Sequence, residues 1–168
     1  MLGNSDTDLI TVDGASTSAN TAGIVMIGTD ISLGADITAG AALSLGGAVA
    51  LTNSVVLSGD GITVIGGIAA DNNNLTLDGR SGAVGTPGLV SVSGAITDAA
   101  NLNVQDAAGA TFATVTAQTV QLANTNTGAI AFNGDLTVAG QFSAAKGSTA
   151  DISIVGALND IEIGRAHV

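Results

Sequence analysis

Asp30-Ile-Ser-Leu-Gly-Ala-Asp-Ile-Thr-Ala-Gly-Ala-Ala-Leu-Ser-Leu-Gly-Gly-Ala-Val-Ala-Leu-Thr-Asn-Ser-Val-Val-Leu-Ser-Gly59 divides into five hexads. The second place of each holds Ile31, Ile37, Leu43, Val49 and Val55, and the fourth holds Leu33, Ala39, Leu45, Leu51 and Leu57. Apolar residues two apart point to one face of a strand, and the Gly, Ala, Asn and Ser that follow permit a turn. Each hexad therefore reads as one short strand plus one corner. A strand this short cannot bury its face alone, so it must stack on copies above and below it.

The unit continues less regularly through Ile62-Thr-Val64, Leu75-Thr-Leu77, Val90-Ser-Val92, Leu102-Asn-Val104, Val120-Gln-Leu122, Ile130-Ala-Phe132, Leu136-Thr-Val138 and Ile152-Ser-Ile154. Between these lie Asp71-Asn-Asn-Asn74, Asp78-Gly-Arg-Ser-Gly82 and the sole proline, Pro87, in a Gly-Thr-Pro-Gly turn. A weak longer echo relates Ile62-Thr-Val64 to Ile130-Ala-Phe132. Alternation this short also suits an antiparallel sandwich, but a sandwich core wants longer strands and several large aromatics. Here 24 residues are Gly, and the aromatics are three Phe with no Tyr or Trp. The expected fold is all-β, a parallel β-helix (β-solenoid). With about 20 residues per three-sided coil it has about eight coils, a rod of about 40 Å. Phe112, Phe132 and Phe142 are expected in wider parts of the core.

Charge narrows the partners. Fourteen acidic residues face three basic ones, a net charge of −11, and Arg80, Lys146 and Arg165 are far apart. Nucleic acid and anionic membrane surfaces both need clustered Lys and Arg, so neither is expected as a partner. No apolar run approaches the length of a transmembrane helix, so membrane insertion by this segment is not expected. Thirteen of the acids are Asp, a residue of turns rather than helix surfaces. There is no Cys, which removes disulfides and thiolate metal sites.

The strings Gly-Asp-Gly-Ile-Thr-Val-Ile-Gly-Gly, Asn-Asn-Leu-Thr-Leu-Asp-Gly and Gly-Leu-Val-Ser-Val-Ser-Gly resemble the repetitive region of filamentous-haemagglutinin-like and autotransporter-like bacterial surface exoproteins, over about 30–160. The resemblance implies a right-handed β-helix, an extracellular or cell-surface location, and a role in adhesion or biofilm with host-cell, matrix or biofilm components as partners. Departures are the missing secretion domain, signal peptide and anchoring barrel, so any export signal lies outside this chain. Read from Leu33, the register Leu-Gly-Ala-Asp-Ile-Thr resembles instead the hexapeptide repeat of left-handed β-helices, which keeps that hand as an alternative.

No catalytic set can be assembled. A nucleophilic triad needs a base beside Ser or Cys, and the only His is His167 near the end of the chain. Neither a nucleophile elbow nor a phosphate-cradling loop is present. The chain is therefore expected not to be an enzyme; a pair of Asp on a β-helix enzyme acting on polysaccharide is the alternative, with no pair singled out. No cofactor is expected. Calcium would need six to eight oxygens, and the nearest candidates, Asp6 with Asp8 and Asp30 with Asp36, lack a calcium-roll repeat and read as solvated turn acids. An ice-binding solenoid is a third class, but Thr114-Val-Thr116 and Thr125-Asn-Thr127 do not recur at a coil interval. The stretches that depart from the hexad, Asp71, Asn72, Asn73, Asn74, Asp78 and Arg80 with the residues up to Pro87, form the candidate surface-binding loop.

Residues 1–162 are expected to form a single solenoid segment of a longer repetitive protein. Residues 163–168, Ile-Gly-Arg-Ala-His-Val, back-translate to a string like the start of a sequencing-library adapter and are expected to be a non-native tail. Exposed strand edges at the ends make end-to-end self-association an expectation.

Overall fold

Apolar pairs repeated every six residues leave water together if each strand turns a corner and the chain returns to stack on itself. That arrangement is found in the computed structural model of the chain, where the described residues are 8–18, 22–80, 86–123, 125–145, 151–159 and 162–163. They form an all-β parallel solenoid of about seven turns, with 19 short strands and no helix. Three faces enclose one core. The first stacks 9–12, 30–33, 48–51, 68–69, 96–97, 115–117, 136–138 and 158–159. The second stacks 16–17, 37–38, 55–58, 74–78, 101–105, 119–122, 141–144 and 162–163. The third stacks 24–27, 43–46, 62–64, 90–92, 110–112, 130–132 and 152–154.

The hexads map onto the faces in rotation. Ile31 and Leu33 lie on the first face, Ile37 on the second, Leu43 and Leu45 on the third, and Val49 and Leu51 return to the first. All ten apolar hexad positions are buried, none more than 2% exposed. Eighteen residues separate the stacked partners Ile31 and Val49, and 19 separate Val49 and Ile68. The largest slip from the hexad count is on the second face, where Ile37 stacks on Leu57 instead of Val55, and smaller shifts fall between Ile27 and Asp30 and between Ile96 and Ala99. Eight rungs on the first face make about seven turns rather than eight coils, a stack of about 34 Å at the strand spacing.

One turn is longer. Ile68 and Ile96 are stacked partners 28 residues apart, because 80–87 is inserted at the corner between the second and third faces. The Gly88 amide donates to the Gly79 carbonyl at 2.7 Å and closes the neck of this insertion, so the flanking strands keep their register. At the corner between the third and first faces, successive coils touch backbone to backbone. A Cβ on Gly47 would overlap the Gly28 carbonyl, and one on Gly66 would overlap the Gly47 carbonyl, so only glycine lets these coils close to strand spacing.

Phe112 and Phe132 stack on neighbouring rungs of the third face with ring centroids 5.3 Å apart, and Phe142 reaches Phe132 edge-on from the second face at 6.4 Å. The phenylalanines thus fill the core instead of forming a surface stripe. Ile62-Thr-Val64 and Ile130-Ala-Phe132, the distant echo in the sequence, occupy the same face three rungs apart.

Candidate surface-binding site

The candidate loop is two sites. Asp71, Asn72, Asn73 and Asn74 turn the corner from the first face to the second, whereas Asp78 and Arg80 lie at the next corner, beyond the strand Asn74–Asp78. Four residue steps along a strand put the two groups about 13 Å apart. Asp71 and Asn72 have φ of 50° and 59°, a left-handed conformation that Asp and Asn tolerate better than other side-chain-bearing residues. Their turn is bolted to the neighbouring coils: the Asn72 amide donates to the Asp98 carbonyl at 2.7 Å, and Asn73 Nδ2 donates to the Leu51 carbonyl at 3.3 Å. The Asn74 amide in turn donates to Ser54 Oγ at 3.0 Å. Asp71, Asn72 and Asn74 remain exposed to solvent.

The second corner is a polar network. Asp78 Oδ1 accepts from the Arg80 amide and Oδ2 from Gln105 Nε2, both at 3.1 Å, while Gln105 Oε1 accepts from Asn103 Nδ2 at 3.1 Å. The Arg80 guanidinium pairs with Asp106 at 2.9 Å, and its carbonyl accepts from Ser58 Oγ at 2.9 Å. Arg80 is therefore lashed to the next coil instead of being held out as a cation for an anionic ligand. Its neighbours 81–85 lie outside the described residues.

The same use of polar corner groups recurs along the rod. Asp36 Oδ1 accepts from the Val56 amide at 2.7 Å, Asp135 Oδ1 from the Ala157 amide at 2.8 Å, and Ser18 Oγ from the Gly40 amide at 2.9 Å. Each joins one coil to the next, 20 to 22 residues on. Asn126 is the buried version, 1% exposed: Nδ2 donates to the Val104 carbonyl at 2.8 Å and Oδ1 accepts from the Ala107 amide at 3.0 Å. In the sequence only the threonines that flank Asn126, Thr125 and Thr127, suggest a role, the ice-binding one, and Asn126 itself suggests none. Among the described residues no buried side-chain polar atom lacks a partner.

Asp30 and Asp36 do not fall at successive corners: Asp30 lies within a first-face strand, paired with Leu9 and Ala48, and Asp36 lies at the corner after it, its carboxylate engaged by a backbone amide. Among the described residues no group of three or more His, Cys, Asp or Glu is placed to hold a metal ion. Asp6, Lys146, Arg165 and His167 lie outside the described residues, as does 164–168; Ile163 pairs with Phe142 on the second face. Thr116 stacks on Thr137 on the first face, while four hydroxyl residues, Ser44, Thr63, Ser91 and Thr111, stack on the third. Compared with family models, with curated proteins and with solved structures, the chain gives no significant match.

Proposed function

We propose that this chain is a noncatalytic structural segment, a stalk or passenger portion, of a large secreted or surface-exposed bacterial exoprotein of the filamentous-haemagglutinin-like or autotransporter-like kind. The observation that supports this reading is how the polar corner groups are spent: Asp36, Ser54, Asp78, Asn126 and Asp135 all bond an adjacent coil, which suits a rod built for extension better than a reaction centre. Each coil lengthens the rod while keeping interior backbone groups paired. A right-handed turn accompanies the reading, as the resemblance to exoprotein repeats implies. Adhesion, where present, belongs to the departures from the repeat, the exposed Asp71–Asn72 corner and the insertion 80–87.

The test is an in-register excision in the surface-displayed protein. Ile31 and Ile68 occupy equivalent places, so deleting 31–67 removes two coils without disturbing the stack. A stalk predicts a reach shorter by about 10 Å with attachment unchanged. Turnover of a polysaccharide or acyl donor by the intact chain, lost on this deletion, would overturn the reading.

A further inference from the structure

The third face is unlike the other two. Its outward positions, three per rung, run through 23, 25 and 27; 42, 44 and 46; 61, 63 and 65; 89, 91 and 93; 109, 111 and 113; and 129, 131 and 133. None of them carries a charge, although the chain has fourteen acidic residues. The first face bears Asp30 and the second Asp78 within their strands. Down the middle of the third face Val25, Ser44, Thr63, Ser91, Thr111 and Ala131 stack in register. Exposed large apolar side chains also gather here: Val25, Ile27, Ile65 and Leu89, the last two 64% and 68% exposed.

We propose that this face docks a second copy of the chain, two rods lying side by side with their third faces in contact. Three features select a second copy. A partner of net charge −11 is repelled wherever it meets carboxylates, and the first six rungs of this face present none, the seventh being flanked by the exposed Asp151 and left outside the contact. A two-fold interface must be complementary to itself, and hydroxyls satisfy that requirement because each can donate and accept. Sizes match as well. A two-fold axis along the rod brings the first outward residue of each rung opposite the third of the same rung in the partner. That places Ile27 over Gly23, Ile65 over Gly61 and Leu89 over Ser93, each bulky side chain against a small one. The protruding Ile65 and Leu89 would disrupt contact with a flat crystalline surface, but fit these gaps.

Six rungs of five residues cover about 500 Å² per copy, about 1,000 Å² in the pair, the low end of specific interfaces. The expected association is accordingly reversible, with a Kd in the micromolar range. It is distinct from end-to-end stacking, which would use the open edges of the terminal coils.

Sedimentation equilibrium of the full chain, from micromolar to about millimolar concentration, tests the proposal. A monomer–dimer equilibrium is expected. The double variant Thr63→Asp/Thr111→Asp, at two exposed positions, should weaken it about 100-fold by opposing like charges. Thr116→Asp/Thr137→Asp, on the first face, should leave it unchanged, and circular dichroism should show both variants folded. The proposal is overturned by a monomer at every concentration, by association, whether into dimers or open-ended chains, that survives the third-face variant, or by equal weakening in the first-face control. Thermal hysteresis from a strictly monomeric chain would likewise overturn it and assign the face to ice.

Discussion

At the scale of single residues, the solenoid rests on two kinds of side chain, inward aliphatics and corner groups that stitch coil to coil. Leu45, fully buried on the third face, exemplifies the first. Leu45→Ala should cost about 2–5 kcal/mol, lost transfer energy plus an unfilled cavity, measured by urea denaturation. Asn126 exemplifies the second, and Asn126→Ala strands the Ala107 amide, while the Val104 carbonyl keeps the Ala123 amide as its donor. A loss of about 1–3 kcal/mol is expected by the same measurement, whereas the partly exposed Arg80–Asp106 pair should contribute less than about 1 kcal/mol in Arg80→Ala. The two kinds of residue differ in legibility. The inward set could be read because burial on a strand follows a local period of two. Asn126 could not, since its burial depends on 104 and 107 lying one coil away, and neighbouring residues carry no record of that distance.

Strands and corners show the same division. Each apolar pair lies in a strand or at its end, two pairs sharing the strand Leu43–Leu51, and the pairing partner follows from counting three hexads except where corners vary in length. The candidate loop was legible as a departure from the repeat, but its two halves sit at different corners because Leu75-Thr-Leu77 between them completes a second-face strand. The part of the insertion after Arg80, 81–87, should be dispensable to the fold, since Gly79 and Gly88 already meet at its neck and Arg80 keeps its bonds to Ser58 and Asp106. Excising 81–87 should change the free energy of unfolding by no more than about 1 kcal/mol, as for other surface-loop changes that leave core strands in place. The glycine corner predicts the opposite behaviour. Gly66→Val would push a branched side chain into the Gly47 carbonyl, and about 1–3 kcal/mol or more should be lost in thermal or urea unfolding.

For the molecule as a whole, the central claim is that parallel strands about 20 residues apart stack in register around a single core. Its acidic surface gives one consequence: carboxylates spread along a rod of net charge −11 repel one another, so screening stabilises it. The melting temperature should therefore rise between about 10 mM and about 500 mM NaCl, where screening shortens from ~30 Å toward a few Å. The most direct test of the stacking itself exploits the absence of cysteine. Thr76 and Asn103 are register partners on the outside of the second face, and Val56 lies one rung further away on the far side of Thr76. Adjacent rungs fall within disulfide reach, and a two-rung separation of about 10 Å does not. Under mild oxidation Thr76→Cys/Asn103→Cys should close an intramolecular disulfide in the folded chain, while Val56→Cys/Asn103→Cys should remain reduced. Closure of the second pair and not the first would contradict the stacked parallel register.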